Sequence, residues 1–280
     1  MDQDPRASSL TQRTIQDFGE QFTRFSGNEG YYGSLEFLQA MLGPLLDVAE
    51  LQGKKVAEIG SGAGRIVLML LEADVSHVTA LEPSMAMETL RRNVGVRPNV
   101  TFVQAPGEQL PKSGDLDYVF SIGVLQFIPD PWPVVDAAFG ALRPGGAFII
   151  RVYSREGNGA YLAMVLPLRA ITTRIPNWLL TALIRVMDVP LMAYIAMCRY
   201  LPLPMHKYFT GTVSKLGGDK RRLVIFDQLN PSYAKYYRRQ EVIELLGGFE
   251  NAQLFHHEGS IWTAIAYKPE ISAATSPLSS

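Results

Sequence analysis

The feature that most constrains the fold is a glycine-rich turn, Gly60-Ser61-Gly62-Ala63-Gly64-Arg65, which follows a short apolar run at residues 55–59. Glycines in such a turn let the chain leave a strand and enter a helix, and they let a ligand approach the backbone. The next apolar run, at residues 78–81, ends at Glu82, 22 residues after the first glycine. A carboxylate in that place can accept hydrogen bonds from both hydroxyls of an adenosine ribose. The alternative is an ordinary tight turn with a surface glutamate.

The turn belongs to a longer alternation of apolar runs and helical patterns between residues 54 and 152. Strands are predicted at residues 55–59, 78–81, 100–103, 117–122 and 147–152, with helices near 66–73, 84–93 and 133–142. This alternation predicts right-handed crossovers and an α/β fold with a parallel sheet covered on both faces. Two later strands, at residues 251–255 and 261–267, are separated by a short turn and are predicted to form an antiparallel hairpin.

The alternation stops after residue 153, and a helical region rich in methionine and proline follows. Residues 160–205 hold five of the ten methionines and five of the eighteen prolines. Arginines, an aspartate and prolines interrupt the apolar stretch 178–204, which argues against a membrane-spanning helix. Residues 216–222 are predicted to be a polar linker. The predicted organisation is an N-terminal helical lid at 1–50, a cofactor-binding core at 51–153, a helical cap insertion at 154–240, a C-terminal completion of the sheet at 241–270 and a disordered tail at 271–280.

Composition excludes several classes of protein. The 280 residues include 26 Lys and Arg and 27 Asp and Glu. The chain as a whole therefore lacks the excess of positive charge that attracts nucleic acid. The single cysteine, Cys198, excludes an intrachain disulfide and a cysteine-cluster zinc site. No His, Asp or Glu group has ligand spacing, so no metal is expected. The lone cysteine and the absence of a secretory signal predict a cytoplasmic protein, with peripheral membrane association left open.

Residues in and before the turn discriminate between two adenosine-containing ligands. A dinucleotide turn would need glycine at position 65, where the pyrophosphate meets the helix N-terminus, and this chain has Arg65. S-adenosylmethionine (SAM) has no phosphate, so a SAM-binding turn does not need glycine at that position. Glu58 lies inside an apolar strand, where an acid is costly unless it is paired. A cationic ligand would compensate the charge, and a salt bridge to Arg65 is the structural alternative. These features favour SAM over NAD.

Five ordered segments resemble the class I SAM-dependent methyltransferases, of the type found in menaquinone and ubiquinone biosynthesis. They are VAEIGSGAGR at residues 56–65, LEPS at 81–84, GEQLP at 107–111, LDYVFSIGVLQFIPD at 116–130 and LRPGG at 142–146. The resemblance implies a Rossmann-like sheet of seven strands in the order 3-2-1-4-5-7-6, with the last strand antiparallel. It also implies SAM as the cofactor and methyl transfer as the activity.

The resemblance assigns roles to individual residues. Glu58 and the backbone of the turn would flank the methionine part of SAM, and Glu82 would hold the ribose. The loop at residues 105–108 would border the adenine, and the end of the fourth strand would lie beside the transferable methyl group. The cofactor residues predicted in this way are Glu58, Gly60, Ser61, Gly62, Gly64, Glu82, Pro83, Pro106, Gly107, Glu108, Ser121 and Ile122.

Two positions depart from the pattern of the family. Pro106 stands where many relatives have an aspartate that contacts the adenine amino group. Adenine recognition would therefore rest on the backbone of Pro106 and Gly107, or on Glu108. Phe127 stands where many relatives have a histidine, so a base at that position is excluded.

The substrate side carries no motif of its own. The stretches FGEQFTRF at residues 18–25 and GYY at 30–32 resemble the N-terminal segment that folds over the cofactor in many such enzymes, and Tyr31 and Tyr32 are candidate lid residues. Ordinary aromatic packing of a leading helix is the alternative. His206 is the strongest candidate base among the four histidines. The candidate catalytic residues are His206 and Tyr31. The candidate substrate residues are Tyr32, Gln126, Tyr208, Tyr233 and Tyr237, and a solvated aromatic face is the alternative for the last two.

The function predicted from these patterns is methyl transfer from SAM to a hydrophobic small molecule, such as a secondary metabolite, or to a lipid-linked or glycan acceptor. The methionine-rich cap is interpreted as a lid over an apolar ligand. A membrane-contacting surface and a homodimer interface are the alternatives for the cap. For the whole chain, the alternatives are an NAD-type oxidoreductase, and a SAM-binding cyclase, isomerase or assembly protein that does not methylate.

Overall fold

Seven strands form one sheet in the order β3-β2-β1-β4-β5-β7-β6 in the computed structural model, which describes residues 5–203, 206–231, 233–257 and 259–270. β7 pairs antiparallel with both β5 and β6, and the other pairs are parallel. This confirms the predicted order and the terminal hairpin. The strands are β1 (Lys55–Ile59), β2 (His77–Leu81), β3 (Val100–Val103), β4 (Leu116–Ile122), β5 (Leu142–Tyr153), β6 (Glu250–His257) and β7 (Ile261–Tyr267).

The α-helices cover the sheet, precede it or build the cap. In chain order they are α1 (Pro5–Arg24), α2 (Leu35–Leu42), α3 (Arg65–Glu72), α4 (Ala86–Val94), α5 (Trp132–Ala141), α6 (Gly159–Thr172), α7 (Asn177–Cys198), α8 (His206–Gly211), α9 (Gly218–Leu229) and α10 (Arg239–Leu245). The three helices predicted between the first five strands correspond to α3, α4 and α5, within two residues at each end. The predicted tail at 271–280 lies outside the described residues.

Each face of the sheet is buried under its own apolar cluster. One cluster joins the strands to α5 and α10, and the other joins them to α2, α3 and α4. In β1 every residue after Lys55 is buried, as a central parallel strand requires when helices cover both faces. The carboxyl ends of β1, β2 and β4 consequently meet at one edge of the sheet, which is where such folds bind ligands.

The cap has a small core of its own, in which Val165, Leu180, Ile184, Phe226 and Leu229 are buried together. The predicted polar linker at residues 216–222 is wrong, because α9 begins at Gly218 within that stretch. Gly217 and Gly218 therefore do not form a flexible connection between two parts of the cap. Gly217 is the N-cap of α9, a position at which glycine is well tolerated.

The longest cap helix, α7, bears on the prediction that charges and prolines argue against a membrane-spanning segment. It runs unbroken from Asn177 to Cys198 with Pro190 inside it. Its segment Leu179–Cys198 is long and apolar enough to cross a membrane by length and composition alone. One such helix is weak evidence of a membrane span, since the core helices of soluble proteins pass the same test.

Candidate functional site

A cavity of about 270 Å³ opens at the carboxyl edge of β1, β2 and β4, beneath α1 and α9. One part of its wall comes from the sheet, and the other comes from the N-terminal helix and the cap. The sheet supplies the ends of three strands and the loop after β3, which is where the sequence predicted the cofactor. The cavity therefore joins the predicted cofactor residues to the cap within one space.

Glu82 lies on the cavity wall and anchors the glycine turn at the same time. Its carboxylate accepts a hydrogen bond from the Gly62 backbone N–H at 2.8 Å and from the Ser84 backbone N–H at 3.0 Å. The Ser84 hydroxyl donates a third bond. A carboxylate offers about four acceptor positions, so this side chain faces the cavity with acceptor capacity left. The acid at the end of β2 is thus held in one orientation by its own backbone surroundings.

Glu58 is the second acid of the site, and its charge is compensated only in part. It is 2% exposed, and its Oε2 atom has no hydrogen-bond partner among the described residues. Burial, helped by the nearby charge of Glu82, raises the pKa of Glu58 to about 8, against the opposing effects of Ser61 and Arg65. A buried acceptor without a partner is costly, so a cationic ligand in this cavity would stabilise it.

The structural alternative for Glu58, a salt bridge to Arg65, is not among the ion pairs of the described ranges. The Arg65 guanidinium lies instead over the ring of Tyr32, 4.3 Å from its centroid. This is a cation–π contact, which leaves the Glu58 carboxyl facing the cavity. The geometry thus places the arginine and the acid on the same cavity wall without pairing them.

Two glycines of the turn have no room for a side chain. Gly60 has φ +77°, and a Cβ atom there would lie 2.6 Å from Val124 Cγ2. Gly62 has φ +52°, and a Cβ atom there would lie 2.9 Å from the ring of Phe22, which α1 brings over the turn. Both conformation and space therefore require glycine. The turn has no side chains at these glycines, and it lies beside the buried Glu58 carboxyl, whose Oε2 atom has no partner among the described residues. This arrangement fits SAM, because the methionine part of SAM carries ammonium and sulfonium charges.

Most of the remaining predicted cofactor residues also reach the cavity. The loop after β3 contributes Pro106, Gly107 and Glu108 to the wall, as the missing aspartate led us to expect. Gly62, Gly64 and Ser121 lie behind the wall: Gly64 is the N-cap of α3, and Ser121 is fully buried. The predicted residues on the wall are Glu58, Gly60, Ser61, Glu82, Pro83, Pro106, Gly107, Glu108 and Ile122. Their contact with SAM stays a prediction.

Among the predicted substrate and catalytic residues, Tyr32 and Gln126 line the cavity. Tyr31 does not: its ring packs on Phe37 at 5.0 Å between centroids, as in the alternative of ordinary aromatic packing. His206 begins α8 and is not among the cavity-lining residues, so its position gives the base assignment no support.

The prediction that Tyr237 lines a pocket mouth is wrong. The residue is 1% exposed, its backbone pairs with Tyr153, and its hydroxyl donates to the Leu125 carbonyl at 3.3 Å. It belongs to the core between the sheet and α10. Tyr233 is half-buried and is not among the lining residues. The side chain of Tyr208 lies outside the described part of the chain.

Sequence reasoning missed a third acid, Asp227 of α9, which lines the cavity. Its carboxylate accepts a hydrogen bond from the Gln21 amide of α1. Burial raises the pKa of Asp227 to about 7, opposed by the Gln21 hydrogen bond and the charge of Arg65. The available signal was its spacing: Asp227 follows the buried Leu223 and Phe226 on the inner side of α9. Taking the start of α9 as a linker concealed that periodicity.

The wall opposite the sheet is largely aromatic. Phe18 and Phe22 of α1, and Phe25 just after that helix, line the cavity together with Phe127, whose ring lies 4.6 Å from that of Phe18. Phe127 therefore occupies the place of the family histidine as part of an apolar wall. Among the described residues, no group of three or more His, Cys, Asp or Glu comes together to hold a metal ion.

Comparison with known sequences identifies the domain. A family model described as "Methyltransferase domain" matches residues 57–150. Ubiquinone biosynthesis O-methyltransferase from Pseudomonas putida is 29% identical over 122 residues, covering 42% of this chain and 52% of that protein. The enzyme of the same name from Cupriavidus pinatubonensis is 29% identical over 139 residues, covering 49% and 55%. The chain spans about half the length of the curated relatives it matches.

Comparison with solved structures extends the likeness to the whole fold. Magnesium protoporphyrin IX methyltransferase from Synechocystis, with bound S-adenosylhomocysteine, has a TM-score of 0.51 at 13% identity, covering 94% of this chain and 99% of that chain. Burkholderia thailandensis 1,6-didemethyltoxoflavin-N1-methyltransferase has a TM-score of 0.52 at 16% identity, covering 96% and 92%. At these identities the likeness shows the fold alone. The match to the methyltransferase family model identifies residues 57–150 as a SAM-dependent methyltransferase domain, and the sheet order is that of the class I fold.

Proposed function

We propose that the chain transfers the methyl group of SAM to a hydroxyl group of an apolar acceptor, either a hydrophobic small molecule or a lipid-linked one. The observation that carries this proposal is the single cavity that connects Glu58 and Glu82 to an aromatic wall. Small organic ligands usually bind in cavities whose walls are apolar and carry few polar groups. The curated relatives, which are named O-methyltransferases, support oxygen as the acceptor atom.

SAM, when bound, supplies an electrophilic methyl group on a sulfonium cation. In the proposed role, the Glu58 carboxylate balances positive charge on the methionine side, and the Glu82 carboxylate accepts hydrogen bonds from the ribose. Phe22 lies over the turn and keeps water from that end of the cavity. Methyl transfer needs an in-line approach, and the chain contributes to it by holding two ligands in one enclosed space.

Asp227 is the side chain that we propose accepts the proton of the acceptor hydroxyl. It lines the cavity on the cap side, and Gln21 holds its carboxylate in place. A base acts best when its pKa lies near the working pH, and the raised pKa of Asp227 satisfies that condition. Neither His206 nor Tyr31, the residues predicted for catalysis, reaches the cavity wall.

Transfer of labelled methyl groups tests the proposed function. The protein is incubated with methyl-labelled SAM and a panel of apolar phenols, hydroxyquinones and solvent extracts of the source cells, and the organic phase is counted. We expect label in the organic phase, bound through oxygen. SAM binding without transferred label across the panel would favour the non-methylating cyclase, isomerase or assembly protein.

The pKa of Glu58 predicts that SAM binding depends on pH. Between about pH 6 and pH 7.5 the affinity should rise by about twentyfold, because a carboxyl whose pKa is about 8 gains charge as the pH rises, and only the charged form attracts the ligand cation. Calorimetric titration at several pH values measures this. Glu58→Gln should flatten the dependence, whereas Asp227→Asn, which removes the other titrating acid of the cavity, should leave it in place. An equally steep dependence in Glu58→Gln contradicts the assignment.

A further inference from the structure

One face of the cap is apolar and open to solvent. α7 packs only a narrow stripe on the rest of the cap, and 17% of its apolar window is buried. Val186 and Val189, at the middle of the helix, are 69% and 73% exposed. We call the exposed apolar residues of α6 and α7 the apolar cap surface: Met164, Leu166, Ile171, Leu179, Leu183, Val186, Val189, Met192 and Met197.

This surface reverses the usual pattern of a helix on a soluble protein, in which charged side chains occupy the outer face. The only charged residues within α7 are Arg185 and Asp188. Asp188 is paired with Arg221 of α9 at 2.9 Å, and both side chains are largely buried. The exposed charge of α7 is therefore that of Arg185 alone, and it is positive. So many exposed apolar side chains on the cap helices mark an interaction site.

A basic pocket lies beside α7 and shares Arg185 with it. Arg222 is paired with Asp219 at 2.7 Å, and Lys220 lies 4.0 Å from Glu29. Four basic and two acidic side chains leave the pocket with a net charge of +2. The helix and the pocket are joined directly, because Arg24 donates a hydrogen bond to Thr181 of α7. The six charged residues of the pocket are Arg24, Arg185, Lys220, Arg222, Glu29 and Asp219.

We propose that the apolar cap surface lies on the anionic surface of a lipid bilayer, with the basic pocket against the lipid phosphates. Exposed apolar side chains bordered by basic ones are the combination that holds a helix in the membrane interface. The helix lies on the bilayer and does not cross it, because Leu180 and Ile184 of α7 are packed in the core of the cap. A second copy of the chain fits less well, since a twofold contact would bring two basic pockets to the same interface.

The proposed membrane-binding face, which consists of the apolar cap surface and the basic pocket, adjoins the acceptor side of the cavity. Phe25 lines both the basic pocket and the cavity, so its side chain separates the two spaces. A lipid-linked acceptor held in the bilayer would thus have a short path to the cavity. This consequence rests on the proposed function, whereas binding to the bilayer does not.

Vesicle flotation of the full chain tests the proposal. We expect the protein to float with vesicles of phosphatidylcholine and phosphatidylglycerol, to float less as salt is added, and to float poorly with phosphatidylcholine alone. The double variant Val186→Asp/Val189→Asp should bind at least about tenfold more weakly, because it places charge in the apolar layer. Arg185→Glu should also bind about tenfold more weakly, because it reverses the charge that faces the phosphates.

Val96→Asp is the matched control, since Val96 is fully exposed in the turn after α4, outside the cap. It should float like the unchanged protein. The melting temperature and the SAM affinity should be unchanged in every variant. These two measurements separate a failure of the membrane proposal from a failure of the proposed function. Equal flotation of the Val186→Asp/Val189→Asp variant overturns the proposal. A vesicle-free dimer that the same double variant dissociates also overturns it, because a second copy would then cover the surface.

Discussion

Glu82→Ala should weaken SAM binding by at least about tenfold, and by about a hundredfold or more if both ribose hydroxyls bind its carboxylate. A hydrogen bond to a charged group contributes roughly 1.5–3 kcal/mol, so two of them amount to roughly 3–6 kcal/mol. The same change removes the acceptor of the Gly62 and Ser84 backbone N–H groups. The glycine turn would lose one of its links to the end of β2, which adds to the loss of affinity; the backbone hydrogen bonds of Gly60 and Ser61 to Leu81 would remain. Calorimetric titration of SAM into both proteins gives the ratio of dissociation constants.

The control for this change is Glu88→Ala, which removes an exposed acid of α4 six residues further along the chain. It should leave the affinity for SAM unchanged. Glu82→Gln keeps one oxygen acceptor and should lie between the two alanine variants. If Glu82→Ala binds SAM as tightly as the unchanged protein, the ribose assignment is wrong, although the fold would stand.

Asp227→Asn should lower kcat at neutral pH by about a hundredfold or more, the usual contribution of a positioned base. In the unchanged protein kcat should rise with pH through about 7 and then level off, because the carboxyl must lose its proton before it can accept another. The variant should lose this rise. SAM affinity should hardly change, since Asp227 lies on the cap side of the cavity. Steady-state rates with the acceptor found in the transfer assay measure both effects.

Two variants distinguish a base from a merely structural acid. Gln21→Ala removes the hydrogen bond to Asp227 but keeps the carboxylate, so it should shift the pH profile without abolishing turnover. His206→Ala should leave the rate unchanged, because His206 does not line the cavity. A full rate in Asp227→Asn, or a large loss in His206→Ala, would return the base to the histidine that the sequence suggested.

Local patterns in the sequence were enough for the cofactor half of the fold. The apolar run before Gly60, the acid at the end of the next run and the strand–helix alternation all reflect short-range requirements of a parallel sheet. The antiparallel hairpin of β6 and β7 follows from the short turn between them, and β7 pairs with β5 as the resemblance implied. Glu58 and Glu82 come together because parallel strands end at one edge.

The acceptor half depends on packing between distant segments, which no local pattern reveals. Asp227 reaches the cavity because α9 packs against α1, some 200 residues earlier in the chain. Tyr237 belongs to an aromatic stretch that resembled a pocket mouth, but a parallel bridge to Ser154 draws it into the core. Neighbours in the cap bury Leu180 and Ile184 of α7, which is one helix with Pro190 inside it.

A calorimetric comparison of SAM with NAD tests most directly whether the glycine turn, Glu58 and Glu82 form a SAM site. We predict that SAM binds the unchanged protein at one site, and that NAD gives no heat of binding, because Arg65 occupies the entrance that a pyrophosphate requires. Binding of NAD without binding of SAM would contradict the account and would identify an oxidoreductase on the same sheet.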